Sequence, residues 1–246
     1  MAIGLQLYSV RDDLGKDFEG TVRKVAAMGY THVETAGMFG GSPAIGAKLF
    51  AELGLTACAA HGDLPIGDKK NQVLDTLATL GIKIIVCPWR PPEKHQSLDG
   101  IKSVCDELNE ADAVARANGL RVAYHNHHFE LLKLPDGTLP LLRMLDFLEP
   151  TVEFEVDTYW VKTAGVNPVE LIQTLGERAS LLHIKDGPAT TDASMTALGE
   201  GVMDIPALLA QSKTDMYIVE LDRCATDMME AVGKSYRYLK GVVDAR

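Results

Sequence analysis

Four residues, His125, Asp157, His183 and Glu220, each stand at the end of a short apolar run rich in Val, Ile and Leu. Two imidazoles and two carboxylates form a donor set that suits a borderline divalent ion. Open coordination positions on such an ion accept two oxygens of a hydroxyketone. A lone histidine at a strand end is ordinarily just hydrogen-bonded. Four such residues on four consecutive runs point instead to metal binding. The expected cofactor is one divalent ion from among Mn, Co, Zn, Fe, Ni and Mg.

Other polar residues recur at the ends of apolar runs: Gln6 and Tyr8, Glu34, His61 and Asp63, then Trp89 and Arg90. Later ends carry His127, His128 and Glu130, then Trp160, Lys185, Asp186, Asp222 and Arg223. Glu34 and His61 are candidates for sugar-hydroxyl contact or proton transfer, and equally for hydrogen bonds that support the ligands. Lys185 lies two residues after His183 and so shares its side of a strand. Beside a metal its pKa would fall and it would polarise or protonate an oxygen; the alternative is an ion pair with Asp157 or Glu220. Within His125–His128, strand alternation puts His125 and His127 on one side, Asn126 and His128 on the other. Trp89, Trp160 and Phe39 are candidates for stacking on a sugar, or for plain loop packing.

These residues need a scaffold that gathers strand ends. Apolar runs at Ile3–Val10, His32–Thr35, Thr56–His61, Ile82–Cys87, Arg121–Asn126, Val152–Asp157, Leu181–Lys185 and Tyr217–Leu221 read as strands buried on both faces. Between them lie helical patterns at Phe18–Met28, Pro43–Leu53, Val73–Leu80, Leu98–Asn118, Thr138–Leu148, Pro168–Leu175, Ile205–Gln211 and Asp227–Leu239. Gly29, Gly54, Gly81 and Gly119 follow as helix stops. Eight strand–helix units in 246 residues fit a single α/β domain, 1–246, folded as a (β/α)8 TIM barrel. A doubly wound open sheet is the competitor, but no G-x-G-x-x-G follows the first strand. The longest irregular stretch, Asp186–Asp204, falls after the seventh strand. Its Leu198-Gly199-Glu200-Gly201 lacks the phosphate-loop pattern and reads as a flexible turn over the site.

Composition narrows the class. A net charge of -10 opposes phosphate backbones, so no nucleic-acid partner is expected. No run of about 18 apolar residues offers a membrane span, and the first residues do not resemble a signal peptide. The four cysteines form no CxxC pair and, with a cytoplasmic location expected, read as reduced thiols. Apolar helix faces leave a homo-oligomer open.

Several motifs also carry a family resemblance. Gly4-Leu5-Gln6-Leu7-Tyr8-Ser9-Val10-Arg11, Tyr124-His125-Asn126-His127 with Phe129-Glu130, and Asp157-Thr158-Tyr159-Trp160 resemble sugar phosphate isomerase/epimerase proteins of the xylose isomerase-like barrel superfamily. So do His183-Ile184-Lys185-Asp186, Leu198-Gly199-Glu200-Gly201 and Glu220-Leu221-Asp222, in the family's order over nearly the whole chain. The resemblance implies a divalent metal on Asp157, His183 and Glu220. Ketose 3-epimerases place a glutamate at the fifth-strand position, where this chain has His125. In those enzymes the two glutamates exchange the proton, so the resemblance leaves Glu220 as base with His125, Glu130 or Lys185 as partner. The His-Asn-His variant is similar to enzymes acting on keto-sugars and 3-keto-glycosides.

The combined expectation is a metal-dependent sugar isomerase or epimerase that abstracts a proton alpha to a carbonyl of a small carbohydrate. Candidate catalytic residues are Glu220, Lys185, His125 and Glu130. Candidate substrate contacts are Glu34, His61, Trp89, Trp160, His127 and Asp222. A keto-glycoside lyase or dehydratase on the same site is the alternative, as is a sugar-binding barrel without turnover. A barrel endonuclease is disfavoured by the acidic charge and the single apparent ligand cluster.

Overall fold

A computed structural model describes all residues, Met1–Arg246. Its strands are β1 (Ala2–Gln6), β2 (His32–Thr35), β3 (Thr56–His61), β4 (Ile84–Cys87), β5 (Arg121–His125), β6 (Glu153–Asp157), β7 (Ala179–Ile184) and β8 (Met216–Val219). Each pairs parallel with the next, and β1 also pairs with β8 from Ala2↔Met216 to Leu5↔Val219. The sheet therefore closes into an eight-stranded barrel and leaves no free edge.

Two apolar clusters divide the interior. Outward-facing strand residues such as Val33, Tyr124, Phe154, Leu182 and Val219 pack under the helices in the large cluster. Ala59, Ile84, Val86, Ala123, Leu181 and Ile218 form a small separate one that plugs the barrel. Strand side chains alternate with period two. Two residues beyond Ala59, Ala123, Leu181 and Ile218 on the same faces come His61, His125, His183 and Glu220. The plug thus turns from apolar to polar within one inward-facing step. β6 departs from this rule: its inward Glu155, fully buried, precedes Asp157 by two residues.

Several boundaries differ from the sequence reading for local reasons. β1 stops at Gln6, whose side-chain oxygen accepts from Tyr8 N at 3.0 Å and bends Leu7–Val10 into a 3-10 turn. β5 stops at His125. A further helix, Thr158–Thr163, follows β6 directly because Asp157 Oδ1 caps it, accepting from Trp160 N at 2.9 Å. The Thr138–Leu148 pattern yields a helix only over Pro140–Met144, and the last helix runs further, over Met228–Asp244. Gly81 ends its helix in the left-handed conformation, at φ 71°.

The Asp186–Asp204 stretch is held rather than loose. Asp186, fully buried, accepts from Gly187 N, Gly199 N, Gly201 N and Met203 N at 2.8–3.2 Å. One carboxylate therefore folds the loop around itself. No helix is long and apolar enough to cross a membrane.

Candidate active site

The C-terminal strand ends surround a cavity of about 710 Å³. Its walls include Tyr8, His61, Trp89, His125, His127, Trp160, Glu220 and Asp222. The four foreseen metal donors come together at its floor. His125, Asp157, His183 and Glu220 place one donor atom each within 4.8 Å of all the others, and all four are buried. Their chemistry fits a divalent ion, and Asp157 Oδ2 is buried without an aligned hydrogen bond.

Lys185 lies among these carboxylates. Its Nζ stands 2.8 Å from Asp157 Oδ2 and 2.7 Å from Glu220 Oε2. Its aligned N–H bonds go to Asp222, at 2.9 and 3.0 Å. Burial opposes the ammonium, but Asp157, Asp222 and Glu220 outweigh it and hold the Lys185 pKa well above the usual lysine range. Without a metal, the ion-pair reading describes this lysine. Glu220 shows the converse: burial pushes its carboxyl up, yet Lys185 and His183 hold it well below the usual range.

Beneath lies a group that only partly emerged from the sequence. Glu155 Oε2 is approached by His61 Nε2 at 2.5 Å, His125 Nδ1 at 3.0 Å and His183 Nε2 at 3.2 Å. Glu34 Oε2 receives Gln6 Nε2 at 2.8 Å and faces His183 Nε2 at 2.7 Å. On its other side, His183 Nδ1 lies 2.7 Å from Glu220 Oε2. Burial, together with Glu155, pushes the Glu34 carboxyl up to about 7. His183 is held well above its usual range, because Glu155, Glu220 and Glu34 overcome the cost of burying its charge. His125 goes the other way, to about 3, through burial and the neighbouring His183 and His61. Glu155 is the residue sequence reasoning missed. The alternation that paired His183 with Lys185 would have found it, two residues before Asp157.

The remaining candidates divide. His61, His127, Trp89, Trp160 and Asp222 reach the cavity wall. Glu34 lies below it, fully buried. His127 reaches the wall although β5 has ended, and its ring centroid is 5.1 Å from that of His125. Asn126 turns aside, accepting from Asp157 N at 3.0 Å, and His128 rests against Trp160 at 5.5 Å. Glu130 does not join the group. It is fully buried behind the wall, accepting from Tyr124 Oη at 2.8 Å and from His127 N at 2.9 Å. The geometry makes it a brace for the His127 turn. Burial pushes its carboxyl up to about 7. Phe39 lies outside this cavity.

No curated protein matches the chain. Two solved structures named as sugar phosphate isomerase/epimerase from Parabacteroides distasonis are similar over 97% of the chain. One is 28% identical with a TM-score of 0.82 and 97% of its own length covered. The other is 26% identical, with a TM-score of 0.81 and 93% covered. A structure named IOLI protein with a binding zinc atom shares the fold, at 17% identity and a TM-score of 0.71, over 100% of this chain and 99% of its own. The xylose isomerase-like TIM barrel model matches residues 22–222. By that match the chain belongs to the xylose isomerase-like TIM-barrel family.

Proposed function

We propose that this protein is a metal-dependent isomerase or epimerase of a keto-sugar or related carbohydrate, working by proton abstraction alpha to a carbonyl. The observation that carries the reading is the buried His125–Asp157–His183–Glu220 group at the floor of an open, aromatic-walled cavity. The similar structures named as sugar phosphate isomerase/epimerase support it. The zinc in the IOLI structure and the donor set here support the metal.

When bound, a divalent ion supplies Lewis-acid polarisation of the carbonyl and its neighbouring hydroxyl. The chain's own residues do the rest. Glu220 is ionised at neutral pH, faces the cavity and takes the alpha proton. Lys185, 2.7 Å away, offers the counter-charge and an N–H to the developing oxyanion. Glu220, once it has taken the proton, can return it to the adjacent carbon; return to the opposite face would come through water on the β5 side of the cavity, where His125 and His127, held neutral by burial, can orient it. Trp89 and Trp160 exclude water from the sugar's apolar face. Loss of a beta substituent from the same intermediate would give a lyase, which uses the same residues.

The test is incubation of the metal-loaded protein with keto-sugars in D2O. Deuterium wash-in at the alpha carbon, abolished in Glu220→Gln, is expected. Tight sugar binding with no exchange in any metal form would replace the enzyme by a binding barrel.

A further inference from the structure

The group around Glu155 is more than a support for the ligands above it. We propose that the barrel holds a second divalent cation one layer deeper, on His61, Glu155 and the Nδ1 of His125, with Glu34 at its edge. This rests on the reading above, in which the outer ion occupies the cavity floor.

Charge is the first argument. Glu34, Glu155, Asp157 and Glu220 are at most 4% exposed, and Asp222 stands beside them. Lys185 is the one ammonium within ion-pair reach. Arg11 and Arg223, at the cavity rim, direct their guanidinium N–H groups to the backbone carbonyls of Tyr8, Asp222, Ala193 and Thr191. With the imidazoles neutral, as ligation requires, five ionised carboxylates against one lysine leave an excess of negative charge. Isolated buried charge is costly and is ordinarily paired or bound to metal. Divalent cations would offset that excess.

Hydrogen-bond geometry is the second. Three ring nitrogens from three strands converge on a single oxygen, Glu155 Oε2, at 2.5–3.2 Å. Meanwhile Glu155 Oε1 and Glu34 Oε1 are buried with no partner. A network built for hydrogen bonds would spread the donors over the free oxygens. The lone pairs of His61 Nε2 and His125 Nδ1 beside the Glu155 carboxylate, whose donor atoms lie within 4.8 Å of one another, with further oxygens in reserve, suit a cation.

The ligands also partition without conflict. A neutral imidazole gives one lone pair. His183 gives Nδ1, 2.7 Å from Glu220, to the outer ion, and its Nε2–H donates to Glu34 Oε2 at 2.7 Å. His125 gives Nδ1, 3.0 Å from Glu155, to the inner ion, because its Nε2 is 3.8 Å from Asp157. Asp157, His183 and Glu220 remain for the outer ion, three protein ligands with open positions for substrate. The inner set of two imidazoles and a carboxylate suits Zn, Co, Mn or Fe.

The experiment is stoichiometric and does not depend on turnover. Metal-depleted protein is titrated with Co(II), read by visible absorption and by elemental analysis after dialysis. Two ions per chain are expected for the wild type. Glu155→Gln, which keeps shape and removes the charge, should fall to one, and so should His61→Asn. Asp157→Asn should also hold one, and the Glu155→Gln/Asp157→Asn double variant none. Circular dichroism checks that each variant is folded. A wild type saturating at one ion overturns the inner site, and if that ion survives Glu155→Gln but is lost in Asp157→Asn, the outer reading stands alone. Saturation at zero overturns both.

Discussion

Lys185 Nζ stands 2.7 Å from Glu220 Oε2 without hydrogen-bond alignment, while its aligned bonds go to Asp222. The lysine therefore sets the charge state of Glu220, while the hydrogen bond at Glu220 Oε2 goes to His183 Nδ1 at 2.7 Å. Lys185→Met removes the ammonium and leaves Asp157 and Glu220 buried beside one another. Breaking a buried pair in this way costs about 3–5 kcal/mol. The metal-free variant should melt well below the wild type, and divalent metal should recover part of the loss. In turnover, kcat should fall by about 10²–10⁴-fold. Thermal unfolding with and without added metal checks the first claim. Retention of full kcat would remove Lys185 from the mechanism.

Glu130 braces the wall from behind, since it accepts from both Tyr124 Oη and His127 N. Glu130→Gln places an amide where two donors expect oxygens. The unmet bonds should cost about 1–3 kcal/mol of stability. As a positioning residue it should leave metal content unchanged and raise KM more than it lowers kcat. Loss of proton exchange with normal stability would restore the direct catalytic part that its place in the His-Asn-His segment suggested.

Trp89 is the exposed aromatic of the rim, 48% accessible, and packs little of itself into the protein. Trp89→Ala should therefore leave the melting temperature unchanged. An aromatic face contributes about 0.5–1.5 kcal/mol to a contact, so KM for a sugar should rise up to about tenfold. Unchanged KM would make Trp89 a loop residue with no part in binding.

The sequence showed the barrel more fully than the depth of its site. Continuous apolar runs and glycine stops located all eight strands, because strands buried on both faces have few other ways to read. His125, Asp157, His183 and Glu220 were visible because each ends an apolar run. Glu155 was not, because one polar residue inside Glu153-Phe154-Glu155-Val156 looks like half-exposed alternation until the barrel closes around it. Lys185 was placed beside His183, but the extent of its ion pairing was not legible. That depends on Asp222 turning back toward it, a contact between β7 and the residues after β8 that spacing does not encode. The turn at Leu198–Gly201 looked loose by composition, and its anchor Asp186 was visible only as another strand-end carboxylate.

Gly201 tests that anchor. A Cβ at this position would lie 2.1 Å from Oδ1 of Asp186, whose carboxylate four backbone N–H groups hold in place, and 2.3 Å from the backbone nitrogen of Gly187. Gly201→Ala should displace the loop from Asp186. Limited proteolysis should then cut within residues 186–204 at least tenfold faster than in the wild type, with the barrel itself intact by circular dichroism. Equal cutting rates would show that the carboxylate does not hold the loop.

His95 supplies a pH dependence away from the metal donors. Its ring is 2% exposed, and its Nε2–H donates to Tyr124 Oη at 3.1 Å, since Tyr124 gives its own proton to Glu130. Burial lowers its pKa from 6.5 to about 4. A histidine neutral in the fold but basic when unfolded binds more protons in the unfolded chain. Stability from this group is therefore full above about pH 6.5 and is lost progressively as pH falls toward 4. At about 1.4 kcal/mol per pKa unit the loss approaches about 3.5 kcal/mol. Urea unfolding of metal-free protein at pH 7.5 and pH 5 should show a steeper decline for wild type than for His95→Leu, which cannot take up the proton. Parallel declines would mean that the acid sensitivity arises elsewhere.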